Sequence, residues 1–136
     1  MFTKDAPSFA GARHRIDAAL NFPRPLRPGG PPLLIGGSGE RRTIPMVARY
    51  ADACNFFGDA ERVRHKLAVL HEHCEAVGRD PGSIQVTHLG AAPDASAEEH
   101  VGRLRELAEA GVRTAIVSFR DAESIAEFGQ VIEAFR

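Results

Sequence analysis

From residue 33 onward the apolar positions switch period four times, each time from a short run to a helical stripe. Leu33 to Ile35 is a short apolar run. Behind it, Ile44, Val47, Ala48 and Ala51 recur at i, i+3, i+4 and i+7, the spacing of one helix face. Ala53 to Phe57 reads as a second strand. Asp59 is a suitable N-cap for a long helix with Val63, Leu67, Leu70, Cys74 and Val77 on its buried side, ended by Gly78 and Pro81. Ile84 to Leu89 is the third strand. The Ser96–Glu99 pair forms a capping box before a stripe of Val101, Leu104, Leu107 and Ala108, and Gly111 ends that helix. Thr114 to Phe119, rich in β-branched residues, is the fourth strand. Asp121 or Ser124 then caps a last helix that turns Ile125, Phe128, Ile132 and Phe135 inward.

Strands alternating with amphipathic helices predict an α/β fold with a parallel sheet and right-handed crossovers. Two architectures fit: an open doubly wound sheet, and a partial (β/α)8 barrel. A whole barrel takes about 250 residues, so about four βα units make half of one. The third strand sets Gln85, Thr87 and Leu89 opposite Ile84, Val86 and His88, and that polar content suits a strand pointing partly into a barrel. Residues 1–32 differ from 33–136 and divide the chain into a lead-in and a βα segment. The lead-in holds most of the prolines. Phe9 to Ile16, around Gly11, predicts a short hairpin, and Asn21 to Pro28 is too proline-rich for a helix or a central strand. Its arginines read as solvated charge rather than as a phosphate-binding arm.

Composition narrows the classes. The 136 residues are one domain's worth, with a formal net charge of −1 that offers nothing to nucleic acid or an anionic membrane. Tryptophan is absent and tyrosine occurs once, against a base-stacking surface. Cys54 and Cys74 form no CxxC pair and no disulfide framework. No apolar run is of membrane-spanning length, and Met1 to Asp5 lacks the apolar stretch of a secretory signal. A reducing cytoplasm is the expected compartment. Whether Met1 is the native start stays open.

The candidate chemistry lies in Gly36, Gly37, Ser38 and Gly39. An apolar strand running into bare backbone and then a helix lets main-chain N–H groups approach an anion, with a helix N-terminus behind them. The other reading is a tight turn that binds nothing. The loop is not a dinucleotide fingerprint, because Arg42 stands where the third glycine belongs, and it lacks the Gly-Lys-Ser/Thr of a Walker loop. The phosphate reading requires the loop amides to be free of protein carbonyls.

Together, Leu33 to Thr43, Val47 to Asn55, Val63 to Leu67 and Cys74 to Pro81 resemble the C-terminal half of luciferase-like oxidoreductases, most of all the branch that uses the deazaflavin F420. Pro7 to Gly11 and Asn21 to Pro25 fit the same branch. The resemblance implies a partial (β/α)8 barrel, F420 or FMN as cofactor, hydride transfer or oxygen activation, and a small-molecule substrate. It also implies that Gly36, Gly37, Ser38 and Gly39 meet the cofactor phosphate, and that Asn55 either faces the cofactor or caps a turn. Two positions depart from the family. Pro45 requires the post-loop helix to start late, with Thr43 as its cap, or to kink. Cys54 stands where the family often has tryptophan, which removes an aromatic wall near the cofactor. The family is about twice this length, so the chain lacks the family's N-terminal half.

Elsewhere the signals are weaker. His71, His73 and Cys74 are close in sequence, but positions 71 and 73 point to different helix faces, and no metal site is expected. His65, His71 and His73 read as solvated. His88 ends a strand just before Gly90, where barrel chemistry gathers, yet a hydrogen-bonded or exposed strand-end histidine is the simpler reading. Ser118 and Arg120 end the fourth strand in the same way. No serine has a hydrolase elbow and no carboxylate pair stands out, so no catalytic residue is assigned. Three functions remain open: part of an F420- or FMN-dependent oxidoreductase; a non-catalytic half-barrel that binds phosphate or pairs with a partner; and a truncated chain without activity. A half-barrel exposes two sheet edges, so a homo-oligomer or a partner chain supplying the missing half is expected.

Overall fold

The computed structural model describes residues 2–91, 95–119 and 121–136. The chain divides into two compact units, residues 1–32 and 33–136. In the first, β1 (Phe9–Ala10) and β2 (Arg15–Ile16) pair antiparallel, with Phe9 opposite Ile16. The Gly11 N–H donates to the His14 carbonyl at 2.9 Å and closes the predicted hairpin. Residues 17–33 form no helix or strand.

The second unit runs β3 (Leu34–Gly36), α1 (Thr43–Tyr50), β4 (Ala53–Phe56), α2 (Ala60–Ala76), a 3-10 turn (Pro81–Ser83), β5 (Gln85–Ala91), α3 (Ala97–Glu109), β6 (Thr114–Ser118), α4 (Ala122–Glu127) and α5 (Gly129–Glu133). The four strands are parallel in the order β3-β4-β5-β6. That order chooses between the two expected architectures. A doubly wound sheet reverses its strand order at a switch point, whereas here every crossover advances one strand in the same direction. With one crossover hand, the helices must lie on one side of the sheet. Accordingly, α1, α2 and α3 share one apolar core with Cys54, Phe56, Ile84 and Val86. The opposite, inner face carries Leu34, Asn55, Thr87 and Ile116, matched across the strands by the pairs Gly36–Asn55, Asn55–Thr87 and Leu89–Ile116.

The caps form as read. The Asp59 side chain accepts from the Arg62 N–H at 2.8 Å, and Ser96 and Glu99 make a reciprocal capping box. Asp121, not Ser124, caps α4. At the other end of α1, the Arg79 guanidinium donates to the Ala51, Ala48 and Val47 carbonyls at 2.7, 3.3 and 3.4 Å. The Ala48 and Ala51 carbonyls are acceptors that a helix C-terminus otherwise leaves to water, whereas the Val47 carbonyl also accepts from the Ala51 N–H.

Several predicted core positions are corrected. Val77 is exposed because α2 ends at Ala76 and Val77 is its C-cap. Ala108 is exposed and Ala110 is buried instead, since α3 stops at Glu109 and the chain turns back toward the sheet. The single last helix is two short ones. The break at Phe128 resets the helical phase, so Val131 is buried while Ile125, Ile132 and Phe135 are about half exposed. Phe128 itself meets the His100 and Phe119 rings edge-on, at 5.2 and 5.1 Å.

Candidate functional site: the glycine loop at the carboxyl ends of β3 and β4

The loop after β3 and the end of β4 lie side by side. Gly36 pairs with Asn55, and the Gly37 N–H donates to the Asn55 carbonyl at 3.2 Å, one step beyond the strand. Gly37 therefore does not offer its amide to a ligand, contrary to the expectation of four free amides. Beyond it the backbone leaves the ladder. Among the described residues, none accepts from the Ser38 or Gly39 N–H. Gly37 has φ +124°, a conformation that side chains rarely adopt, and a Cβ there would lie 3.2 Å from the Thr43 methyl. A Cβ on Gly39 would lie 3.0 Å from Thr43 Oγ1, whereas one on Gly36 would meet nothing closer than Asn55 Cβ at 4.0 Å.

Pro45 is accommodated by a late helix start. The helix begins at Thr43, one residue before the position expected if Thr43 were its cap. Arg42 occupies the cap position without a side-chain bond, and Pro45 falls in the first turn, where its missing N–H costs nothing. The Ile44 N–H turns back to the Gly39 carbonyl at 3.0 Å. One of the α1 amides that could face an anion is thus engaged, whereas among the described residues none accepts from the N–H groups of residues 38–43, Ser38 and Gly39 included.

Asn55 is buried on the inner face. Its Oδ1 lies 2.7 Å from Thr87 Oγ1, which is also 2.8 Å from the Cys54 carbonyl. The hydroxyl fixes the Asn55 amide on the face shared with the glycine loop, and the Asn55 Nδ2 has no partner among the described residues. Thr87 was legible only as a polar position on an apolar strand; its bond to Asn55 depends on two strands meeting in register. Cys54, by contrast, points to the helix side and is completely buried. It lines the core rather than a cofactor wall, and burial pushes its thiol up to about 11.

Glu40 anchors the loop from outside. Its carboxylate accepts from Lys66 Nζ and lies 3.0 Å from His65 Nε2, both on α2. The Lys66 ammonium, as a hydrogen-bond donor, is the main cause holding the Glu40 carboxyl below its usual range. His65 is thus paired with Glu40 rather than simply solvated. His71 and His73 do not join it, and Cys74 is in the core. Among the described residues no three metal-ligating side chains come together. His88 is buried on the helix side of β5, with Nε2 2.8 Å from the Gly58 carbonyl. Because β5 runs on to Ala91, His88 is a hydrogen-bonded residue in mid-strand rather than at a strand end, and it is directed away from the inner face. Ser118 ends β6 in an exposed position, and Arg120 lies outside the described residues.

The architecture is that of singly wound parallel βα units with an open glycine loop at the carboxyl ends of the strands. The sequence model of luciferase-like monooxygenases matches residues 1–130, and the chain belongs to that family. Comparison with curated proteins gives no match. Among solved structures, an F420-dependent secondary alcohol dehydrogenase in complex with an F420-acetone adduct is similar over 98% of this chain and 57% of its own, at 17% identity and TM-score 0.80. A coenzyme F420-dependent tetrahydromethanopterin reductase from Methanopyrus kandleri is similar over 77% of this chain and 51% of its own, at 13% identity and TM-score 0.63. A riboflavin lyase with modified FMN and riboflavin matches at 21% identity and TM-score 0.52, over 77% of this chain and 24% of its own. The chain spans about half the length of the first two structures, and these likenesses concern the fold. No helix among the described residues is long and apolar enough to cross a membrane.

Proposed function

We propose that this chain supplies the phosphate-binding end of an F420- or FMN-dependent oxidoreductase of the luciferase-like family. The observation that carries this reading is the pair of loop amides, Ser38 and Gly39, with no acceptor among the described residues, beside Asn55 at the carboxyl ends of β3 and β4. Carboxyl-end loops hold the active sites of barrel enzymes, and bare amides ahead of a helix suit a phosphate. In this reading the Ser38 and Gly39 amides bind the anionic tail. Gly36 keeps the approach open, Gly37 makes the turn, and Asn55 offers its Nδ2 on the same face. The flavin or deazaflavin ring carries the hydride chemistry when bound, and the chain's own residues orient it. Turnover of a small-molecule substrate needs the rest of the ring, and the two buried free thiols suit a reducing compartment such as the cytoplasm.

Fluorescence titration with F420 and with FMN, separately, tests the reading. Saturable binding of at least one is expected. Ser38→Asp places a carboxylate where the anion would sit, at a position that already carries a side chain. It should weaken binding at least tenfold with an unchanged urea midpoint. Gly37→Asp is less discriminating, because the +124° φ penalises any side chain. Absence of binding by either cofactor, or binding indifferent to Ser38→Asp, rejects the assignment. Binding without turnover when a reductant and substrates are added favours a non-catalytic binding half.

A further inference from the structure

We infer that two copies of this chain close a single eight-stranded ring, β3 of each pairing with β6 of the other about a two-fold axis running along the ring. The inference does not depend on what the glycine loop binds. The four strands are parallel and in sequential order, so β3 and β6 are the two edges of the described sheet. Rotation by half a turn about an axis along the ring keeps every strand parallel. It brings β6 of one copy beside β3 of the other, twice over, and leaves no edge unpaired. An axis perpendicular to the strands would instead set like edges antiparallel and leave the other two edges open. Eight parallel strands are the closed count of the (β/α)8 barrel, to which each copy contributes four.

The surfaces that this arrangement covers carry exposed apolar side chains. On the inner face, Leu34 of β3 and Ile116 of β6 are 49% and 44% exposed. Outside the sheet, α1 presents Met46 and Tyr50, and the far end presents Ile132 and Phe135. Between α3, β6 and α5 lies an apolar groove of about 380 Å³. In a closed ring the neighbour of this groove is the other copy's β3–α1 unit, whose Met46 and Tyr50 are of the size and chemistry to enter it. The ring would also bring the Asn55 face of each copy against that of the other, enclosing both glycine loops at one end.

Sedimentation velocity on the unmodified full chain at micromolar concentration should give a species of twice the chain mass. Ile132→Asp, at an exposed position, should raise the dissociation constant at least tenfold while leaving the circular dichroism spectrum unchanged. To test the pairing itself, Leu34→Cys and Ile116→Cys are introduced together and separately and treated with a short bismaleimide; the native thiols are buried. The double variant should cross-link efficiently and stop at the dimer, and each single variant should not. A monomer at tens of micromolar overturns the inference. So does a ladder of higher products, which indicates open head-to-tail pairing, or single variants that cross-link as well as the double, which indicates like edges meeting.

Discussion

At the scale of single residues, the neighbouring glycines Gly36 and Gly37 have opposite roles. Gly37 is required by backbone conformation and by the Thr43 methyl, so Gly37→Ala should cost about 1–3 kcal/mol in urea unfolding. Gly36→Ala, with 4.0 Å of clearance, should change stability little. The four-residue motif was readable as a loop, but which amides it leaves free was not, because the acceptor for Gly37 comes from Asn55 on another strand. Cys54 shows the same limit. Its neighbours in sequence suggest a position near the site, and the strand's alternation turns it into the core. Burial raises its pKa from 9.0 to about 11. Above pH 9 the unfolded thiol loses a proton that the folded one keeps, so the folded state binds more protons and stability falls as pH rises toward 11. Cys54→Ala should flatten this decline, measured as urea midpoints at pH 8 and pH 10.5.

At the scale of elements, caps and periods were legible because they are local. Asp59, the Ser96–Glu99 box and Asp121 act within a few residues of themselves, and the stripes of α1 and most of α2 follow the 3.6-residue period. Where an element ends, the period misleads: Val77 continues the α2 stripe in sequence after the helix has stopped, and Ala108, in the last turn of α3, is exposed while Ala110 just beyond the helix is buried. The last helix fails for a related reason, because the break at Phe128 exchanges Ile132 for Val131 as the buried residue. Arg79 was readable only as a charge after a helix. In the fold it holds three carbonyls at the end of α1, a helix 28 or more residues earlier. Arg79→Ala should therefore destabilise the chain by about 1.5–3 kcal/mol, the range for hydrogen bonds to a charged group. Arg79→Lys should recover only part of this, since one ammonium cannot reproduce the planar fork. Equilibrium unfolding of the three proteins in urea measures both.

At the scale of the whole molecule, the two units differ in what holds them together. Among the described residues of the first unit, Gly30 alone is buried, so no apolar side chain there is fully removed from water. The second unit has a continuous apolar core from Ile44 to Val112. A chain beginning at Leu33 should keep the helical and strand signal in circular dichroism and lose little of its unfolding free energy; loss of cooperative unfolding would contradict this. The amino-acid order alone determined the βα rhythm, the helix caps and the family resemblance that the comparisons bear out, because each is written in local period or contiguous motif. Tertiary structure decided the rest. Strand order separated a singly wound from a doubly wound sheet, and cross-strand register joined Asn55 to Thr87 and Gly37. The face of each strand sent Cys54 and His88 to the helix side. Those outcomes depend on which distant segments become neighbours, and no residue carries that information in its own surroundings along the chain.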